Sequence, residues 1–529
     1  PLVDLWLRDE VGVHAERFAQ CEWAKESNRT DANPLFAAAL PNKLVAIVPA
    51  AQARELAEAV TRAVRDFVRE TAAAMLAELL QAAGIPNGPE LPCHTQLATQ
   101  LEGFPEVHWA VVPFAPLVEE RTGEVPDTTE LKKASTPFFG SGGFLASPAW
   151  QRLSKPLDLE GTQFYRPNAG VLYPAIYELL DRLAASAKSV RTAPQRPNGG
   201  EQGYRCDLTG EAEWLTHDRA HLTVPKGERK QVPTLWNLAA KQLPGIGRKG
   251  EHLSALAMLK RLWPNWFVKQ ELGPLGIDTQ RFVVSTHTLA ISTSLERWLA
   301  ASARIDKNAE KLLERAREPG TDRAALPRRL VRALYRGKDF NDDQRTLARA
   351  LPALMEGDAS DDPEARNESA ELARGLLGGK PEAYYALILL DGDKMGAWIS
   401  GTDAAVQLDT RATFHPQIRE RMRAHFTRPE HQAYLDAPRA VSPSRHMAIS
   451  SALNAFALTL AQDIVENRCK GKLIYAGGDD VMALVAVDDL LACLTLLRAA
   501  YGGLPVPANL RDTLGIDLPQ PSELRLGGG

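Results

Sequence analysis

The sequence predicts an α+β multidomain chain whose last unit follows the ferredoxin-like plan. Three observations carry that reading. Apolar runs of strand length occur at Tyr384 to Leu390, Lys472 to Tyr475 and Val481 to Val487. Helical stretches from His446 to Asn467 and from Asp488 to Ala500 interleave with them, giving the order β-α-β-β-α, the ferredoxin-like plan without its last strand. The segment Gly477-Gly478-Asp479-Asp480 separates the second and third runs and reads as a tight hairpin turn. With 529 residues, the chain has room for three or four domains at roughly 100–200 residues each.

The elements follow in chain order. Leu44 to Val48 is a buried-type strand bounded by Pro41 and Pro49, and an Ala-rich helix runs from Ala53 to Ala83, ended by Gly84 and Pro86. Val107 to Phe114 alternates like a second strand. This β-α-β succession places an α/β domain in residues 1–150. Residues 151–230 hold a helix from Ala169 to Ala187, a Pro/Gly/Asn linker from Thr192 to Gly203 and a small segment around Cys206. Residues 231–380 read as helical, with a charged stretch from Asp306 to Ala350 and an acidic, Gly-containing boundary from Gly357 to Pro381. The last domain is expected over 381–529, with a polar insertion after its first strand. The start, Pro1-Leu2-Val3-Asp4, has neither an initiator Met nor a signal sequence, and both ends read as cut.

Composition narrows the function. The chain is 44% hydrophobic and 24% charged with net charge −4, so nucleic-acid contact must come from local patches or partner subunits. No apolar run approaches the ~20 residues of a bilayer span, and no membrane partner is expected. Five scattered cysteines, Cys21, Cys93, Cys206, Cys469 and Cys493, argue for a reducing cytoplasm, and no C-x-x-C pair exists. Cys469 and Cys493 sit in apolar surroundings and read as core.

The chemistry concentrates at two strand ends. Leu390-Asp391-Gly392-Asp393-Lys394 closes the first strand, and Asp479 and Asp480 lie on the hairpin turn beside it. Mg²⁺ and Mn²⁺ are hard ions held by carboxylates and substrate phosphates. Two ions about 3.5–4 Å apart can activate a 3′-hydroxyl and stabilise a leaving pyrophosphate. Asp391, Asp479 and Asp480 are therefore the expected catalytic and metal-binding carboxylates, with the first strand expected to be central in the sheet. Gly392 would let a triphosphate approach the backbone, Lys394 could reach a phosphate, and Asp393 is a weaker ligand because its direction is unset. Gly477 and Gly478 would supply positive φ for the turn. Read alone, Gly-Gly-Asp-Asp is equally an ordinary hairpin tip; the second acidic strand end separates the two readings.

At these residues the chain resembles a known family. Leu390 through Gly396, His446-Met447-Ala448-Ile449-Ser450-Ser451-Ala452-Leu453, and Tyr475 through Asp480 are similar to the large subunit of type III CRISPR effector complexes, nearest the Cmr (type III-B) branch. Pro41 through Pro49 and Leu259-Lys260-Arg261-Leu262-Trp263-Pro264 fit as well. The resemblance implies two ferredoxin-like palm domains with a small knuckle domain and helical regions between them. It implies ATP as substrate, joined into cyclic oligoadenylate when target RNA binds, and guide CRISPR RNA, target RNA and other Cmr-type subunits as partners. It implies pairing between the two palms of one chain rather than a homodimer. The family's knuckle normally carries paired cysteines, whereas here Thr209 follows Cys206 where a second would stand. His217 and His221 could join Cys206, but three such ligands make a poor zinc site, so a metal-free knuckle is expected. His217-Asp218 is the only His-Asp pair and reads as chance rather than as an HD nuclease.

Two other functional classes stay open at this point. One is a catalytically silent ribonucleoprotein scaffold. The other is a stand-alone nucleotide cyclase, whose motif normally continues with Glu-Phe where this chain has Asp480-Val481. Gly245-Ile246-Gly247-Arg248-Lys249-Gly250 matches G-x-G-x-x-G, but with no strand before it an interhelical turn is expected. Arg323, Arg328, Arg329, Arg332, Arg336 and Lys338 form a basic stretch that could touch RNA phosphates or simply face solvent.

Overall fold

A computed structural model describes residues 43–118, 125–159, 161–190, 203–242, 250–267, 269–270, 283–301, 303–318, 324–337, 340–356, 363–401 and 408–504. Outside these lie Cys21, Pro41 and Asn42, the linker residues 192–202, Gly245 to Lys249, Arg323, Lys338 and both chain ends. The chain forms two compact units. One comprises the described residues within 45–279 and 400–442; the other comprises those within 283–399 and 443–504.

The unit built on residues 45–279 is mostly helical. Helix α1, Ala53–Ala83, covers the predicted stretch and ends at Gly84, whose φ of 70° is the left-handed cap position that glycine tolerates best. Its second half buries Ala72, Met75, Leu76, Leu79 and Leu80, the 3–4 spacing of one helix face. Helix α2, Pro92–Gln100, begins with proline, whose missing N–H costs nothing in the first turn. The expected strands Leu44 to Val48 and Val107 to Phe114 are not formed. Leu44 and Ile47 are 79% and 77% exposed, and a strand needs a neighbour for its N–H and C=O groups, which no described segment supplies.

Hairpin β1–β2 pairs Leu157–Leu159 with Thr162–Tyr165. The predicted polar insertion belongs here: Phe426 and Leu435 pack on Leu157, and buried His431 meets the Asp158 carbonyl at 3.2 Å. Helix α3, Ala255–Phe267, shares the α1 core.

Around Cys206, desolvation works to raise the thiol pKa. Hydrogen bonds from the amides of Ser254, Thr209 and Leu208, and from the Ser254 side chain, together outweigh it and set the pKa below the ordinary value. These groups occupy the surroundings of the sulfur. Among the described residues, Cys206, His217 and His221 do not bring ligand atoms within 4.8 Å of one another. Asp218 caps a short helical turn through the Ala220 amide at 2.9 Å.

In the other unit, helix α4, Thr286–Ala300, and helix α5, Asp342–Glu356, build a core with helix α6, Pro363–Leu376. Helix α6 falls within the expected acidic boundary. Ala370, Ala373 and Leu377 recur at helical spacing and are buried, while Glu364 and Glu371 face out.

Strand β3, Tyr385–Leu390, opens the last domain, and helix α7, Pro443–Ala455, continues through π-type turns to Arg468. The stretch Pro443–Arg468 is long and apolar enough by length and composition to cross a bilayer, an exception to the sequence expectation. In the fold, Phe456, Ala457, Ala461, Ile464 and Val465 from this stretch pack on the sheet.

Strands β4, Gly471–Gly477, and β5, Asp480–Ala486, follow, then helix α8, Leu490–Gly502. The order β-α-β-β-α is as predicted. Strand order is β3-β5-β4, all antiparallel, so β5 is central and β3 lies at the edge among the described residues, not at the centre. A central first strand needs the fourth strand of the plan on its far side. Cys469 and Cys493 are both fully buried in this core, as expected. Each fully buried Leu or Val here contributes about 2 kcal/mol.

The basic stretch is partly turned inward. Arg328 pairs with Glu466 at 3.1 Å, and Arg329 with Glu296 at 3.1 Å, so these two guanidinia serve the fold. Lys470, 2% exposed, reaches Glu296 at 2.7 Å and Asp489 at 2.9 Å. Removing it takes the nearer cation from both carboxylates and leaves them Arg329, 3.1 Å from Glu296 and 3.8 Å from Asp489. Lys470→Ala is expected to lower unfolding free energy by about 3 kcal/mol, seen as a reduced urea midpoint at unchanged slope.

Candidate metal centre at the end of the sheet

The β3–β5 register builds the site. Leu390 lies opposite Val481, so the residues one step outward, Asp391 and Asp480, leave the sheet at the same end. Gly477 pairs with Asp480 across the hairpin, making Gly478 and Asp479 the two-residue turn. Gly478 has φ of 67°, and neither Gly477 nor Asp479 is left-handed, the pattern of a II′ hairpin with glycine at the first central position. The expectation of positive φ therefore holds at Gly478 and not at Gly477. A side chain on Gly477 would strike the Tyr475 ring instead, so this glycine makes room for the tyrosine. One residue earlier, the register shift between Leu473 and Tyr475 marks a bulge, a device that increases local twist and re-aims side chains.

Asp391, Asp479 and Asp480 each present a carboxylate oxygen, and these atoms all lie within 4.8 Å of one another. Asp391 and Asp480 are exposed and Asp479 is half-buried. The Asp480 pKa is raised above its ordinary 3.8 by desolvation, by a hydrogen bond with Asp391, and by the negative charges of Asp479 and Asp391. Three close carboxylates repel, and either a proton or a cation relieves them. An all-oxygen donor set of this charge fits a hard divalent ion.

Gly392 has a packing role in the site. A Cβ there would sit 2.6 Å from Tyr501 Oη and 2.7 Å from Asp479 Cβ, so its lack of a side chain lets β3 and the turn approach. Lys394 takes the left-handed conformation, φ 56°, uncommon for a residue with a side chain. Its carbonyl accepts from Ala397 and Trp398 to start the helix Met395–Ser400. Asp393 is exposed and stands outside the three-carboxylate group.

Sequence reasoning missed Tyr501. It lies on α8, packs edge-on to Phe456 at 5.2 Å and touches Met395 Sδ at 3.3 Å. Its phenol pKa is raised by desolvation and by the charges of Asp479, Asp391 and Asp393, which keeps its proton in place over the cluster. An aromatic at the end of the last helix, just before Gly502-Gly503, was the available signal. His446 was quoted only as part of a motif; its Nε2 lies 2.9 Å from the Ile399 carbonyl, tying α7 to the segment after Asp391. Burial lowers its pKa.

With this geometry in hand, comparison with known proteins is informative. Residues 384–512 match the Cas10/Cmr2 second palm domain. The chain is 25% identical over 335 residues to the CRISPR system Cmr subunit Cmr2 of Pyrococcus furiosus, covering 62% of this chain and 32% of that protein. It is 44% identical over 63 residues to the corresponding subunit of Saccharolobus solfataricus, 12% of this chain and 6% of that one. The chain thus spans about a third or less of the length of these curated relatives. A cryo-EM structure of type III-B Cmr-beta in the apo state is similar at 16% identity and a TM-score of 0.40, over 66% of this chain and 42% of that one. The matched span contains the whole β3–β5–β4 sheet and all three clustered aspartates, so the part of the chain similar to the second palm domain of Cas10/Cmr2 is the part that builds this centre.

Proposed function

We propose that the chain acts as the large subunit of an RNA-guided type III-B effector complex, and that its palm joins ATP into cyclic oligoadenylate when target RNA binds. The convergence of Asp391, Asp479 and Asp480 carries the reading. Together these residues would hold two Mg²⁺ or Mn²⁺ ions, which when bound supply activation of a 3′-hydroxyl and charge stabilisation of departing pyrophosphate. The chain's own part is positional. The II′ turn and the β3 end fix the carboxylates on a rigid sheet. Gly392 permits their approach, and the protonated Tyr501 offers a hydrogen-bond donor at the rim. Guide RNA, target RNA and the remaining Cmr-type subunits are the partners of this reading, and the cytoplasm its compartment.

Three outcomes test it. The assembled complex, given ATP, Mg²⁺ and target RNA, is expected to make oligoadenylate, and the Asp479→Asn/Asp480→Asn complex to make none while assembling normally. Unchanged synthesis by the variant would overturn the catalytic assignment. Wild-type complex that binds target RNA but yields no product would favour a scaffold.

Electrostatics gives the second. A carboxyl whose folded pKa is raised disfavours the folded state once pH exceeds that value, and the penalty vanishes below the ordinary 3.8. Without divalent ions, Asp480→Asn is therefore expected to melt no lower than wild type at pH 7. Millimolar Mn²⁺ should raise the wild-type Tm and leave that of Asp391→Asn/Asp479→Asn/Asp480→Asn in place, as differential scanning fluorimetry can read.

The third concerns Gly392→Ala. The added methyl displaces Asp479, and Mn²⁺ affinity measured by calorimetry should drop by about tenfold or more, with the fold retained by circular dichroism.

A further inference from the structure

A second cavity, of about 540 Å³, opens at the other end of β3, where the N-terminus of α4, the C-terminal end of α6 and the start of the strand meet. Tyr385, the first residue of β3, lines it, whereas Asp391 lies just past the strand's last residue, about 20 Å away at 3.3 Å per residue. It is therefore separate from the carboxylate cluster, and nothing in the palm chemistry uses it.

Its lining divides into two kinds of surface. Arg374 and Lys380 supply two exposed cations at the rim. His287 adds a ring whose Nε2 is buried without a hydrogen-bond partner, while its Nδ1 lies 3.8 Å from Glu356. The first turn of α4 contributes the positive end of a 15-residue helix. Against these stand Ile291, Met355 and the half-exposed Tyr385 ring, an apolar and aromatic wall. One acid, Glu382, also lines the cavity, but its carboxylate is turned to Arg297 at 2.6 Å and to the Ser294 hydroxyl, which hold its pKa low against desolvation and use its charge within the fold. The unneutralised charge of the cavity is positive.

A concave space of this volume, with a few convergent polar groups beside an apolar wall, suits a small ligand. Cations fork toward phosphate, and an aromatic ring beside aliphatic side chains accepts the face of a base. We propose that this cavity binds a nucleotide unit, with its phosphate on Arg374 and Lys380 and its base against Tyr385. The same chemistry is offered by a free nucleotide and by one residue of a single-stranded RNA.

The test titrates the full chain with AMP and, separately, with a short single-stranded RNA, both in EDTA so that metal-dependent binding at the carboxylates is silent. AMP is expected to bind, and Arg374→Ala/Lys380→Ala to weaken it at least about tenfold. Tyr385→Ala should weaken it by a smaller factor, and Asp391→Asn/Asp479→Asn should leave it unchanged. If only RNA binding responds to Arg374→Ala/Lys380→Ala, the nucleotide unit comes from the RNA chain. The proposal is overturned if neither ligand responds to that pair, or if inorganic phosphate binds as tightly as AMP. Arg374 and Lys380 are exposed, so loss of binding in that pair is separable from loss of fold by circular dichroism. Failure here leaves the metal titrations of the palm untouched.

Discussion

The carboxylate cluster depends on the register of one antiparallel pair. With Leu390 opposite Val481, the next residues outward, Asp391 just past β3 and Asp480 at the start of β5, emerge side by side, and both are aspartates. A slip of one residue would turn every side chain of β3 to the other face, burying Leu387 and Leu389 and expelling Ile388 from the core. The buried row Ile388, Val481, Ala483 and Val485, under α8 and the π-type turns that continue α7, therefore sets the position of the acids. Apolar packing holds three like charges together that would separate if free.

The turn and the glycine on the opposite strand act on that constraint from two sides. Gly478 takes the one left-handed position the II′ turn requires. Gly392 leaves space that a methyl would take from Asp479 and Tyr501. Neither glycine needs a ligand to account for it; both are required for the carboxylates to be where they are. The raised Asp480 pKa is the electrostatic consequence, a site carrying more negative charge than it can comfortably hold alone.

Away from the cluster, charge does structural work. Lys470, Arg328 and Arg329 connect the helical region to the palm through Glu296, Glu466 and Asp489. A basic run read from sequence as an RNA-facing or solvated surface is in this part a set of internal pairs. Charge counts along a chain do not say which way a helix faces, and here the acidic partners lie well away along the chain, Glu466 far downstream of Arg328 and Glu296 upstream of Arg329.

Much of the palm was legible in the sequence because its signals are local. Apolar runs of strand length gave the strands, glycine and aspartate gave the turn, and the Ala-rich run of α1 ended at its predicted Gly84. Asp391, Asp479 and Asp480 could be named from their residue types at strand ends. The strands expected near Leu44, from an apolar run, and near Val107, from alternation, did not form, because a strand exists only with a neighbour to pair with. The central position of β5, the packing role of Gly392, the place of Tyr501 and the cavity at the start of β3 were decided by tertiary structure alone. Each depends on distances between residues far apart in the chain, and those distances are set by how apolar faces pack, which no local pattern encodes.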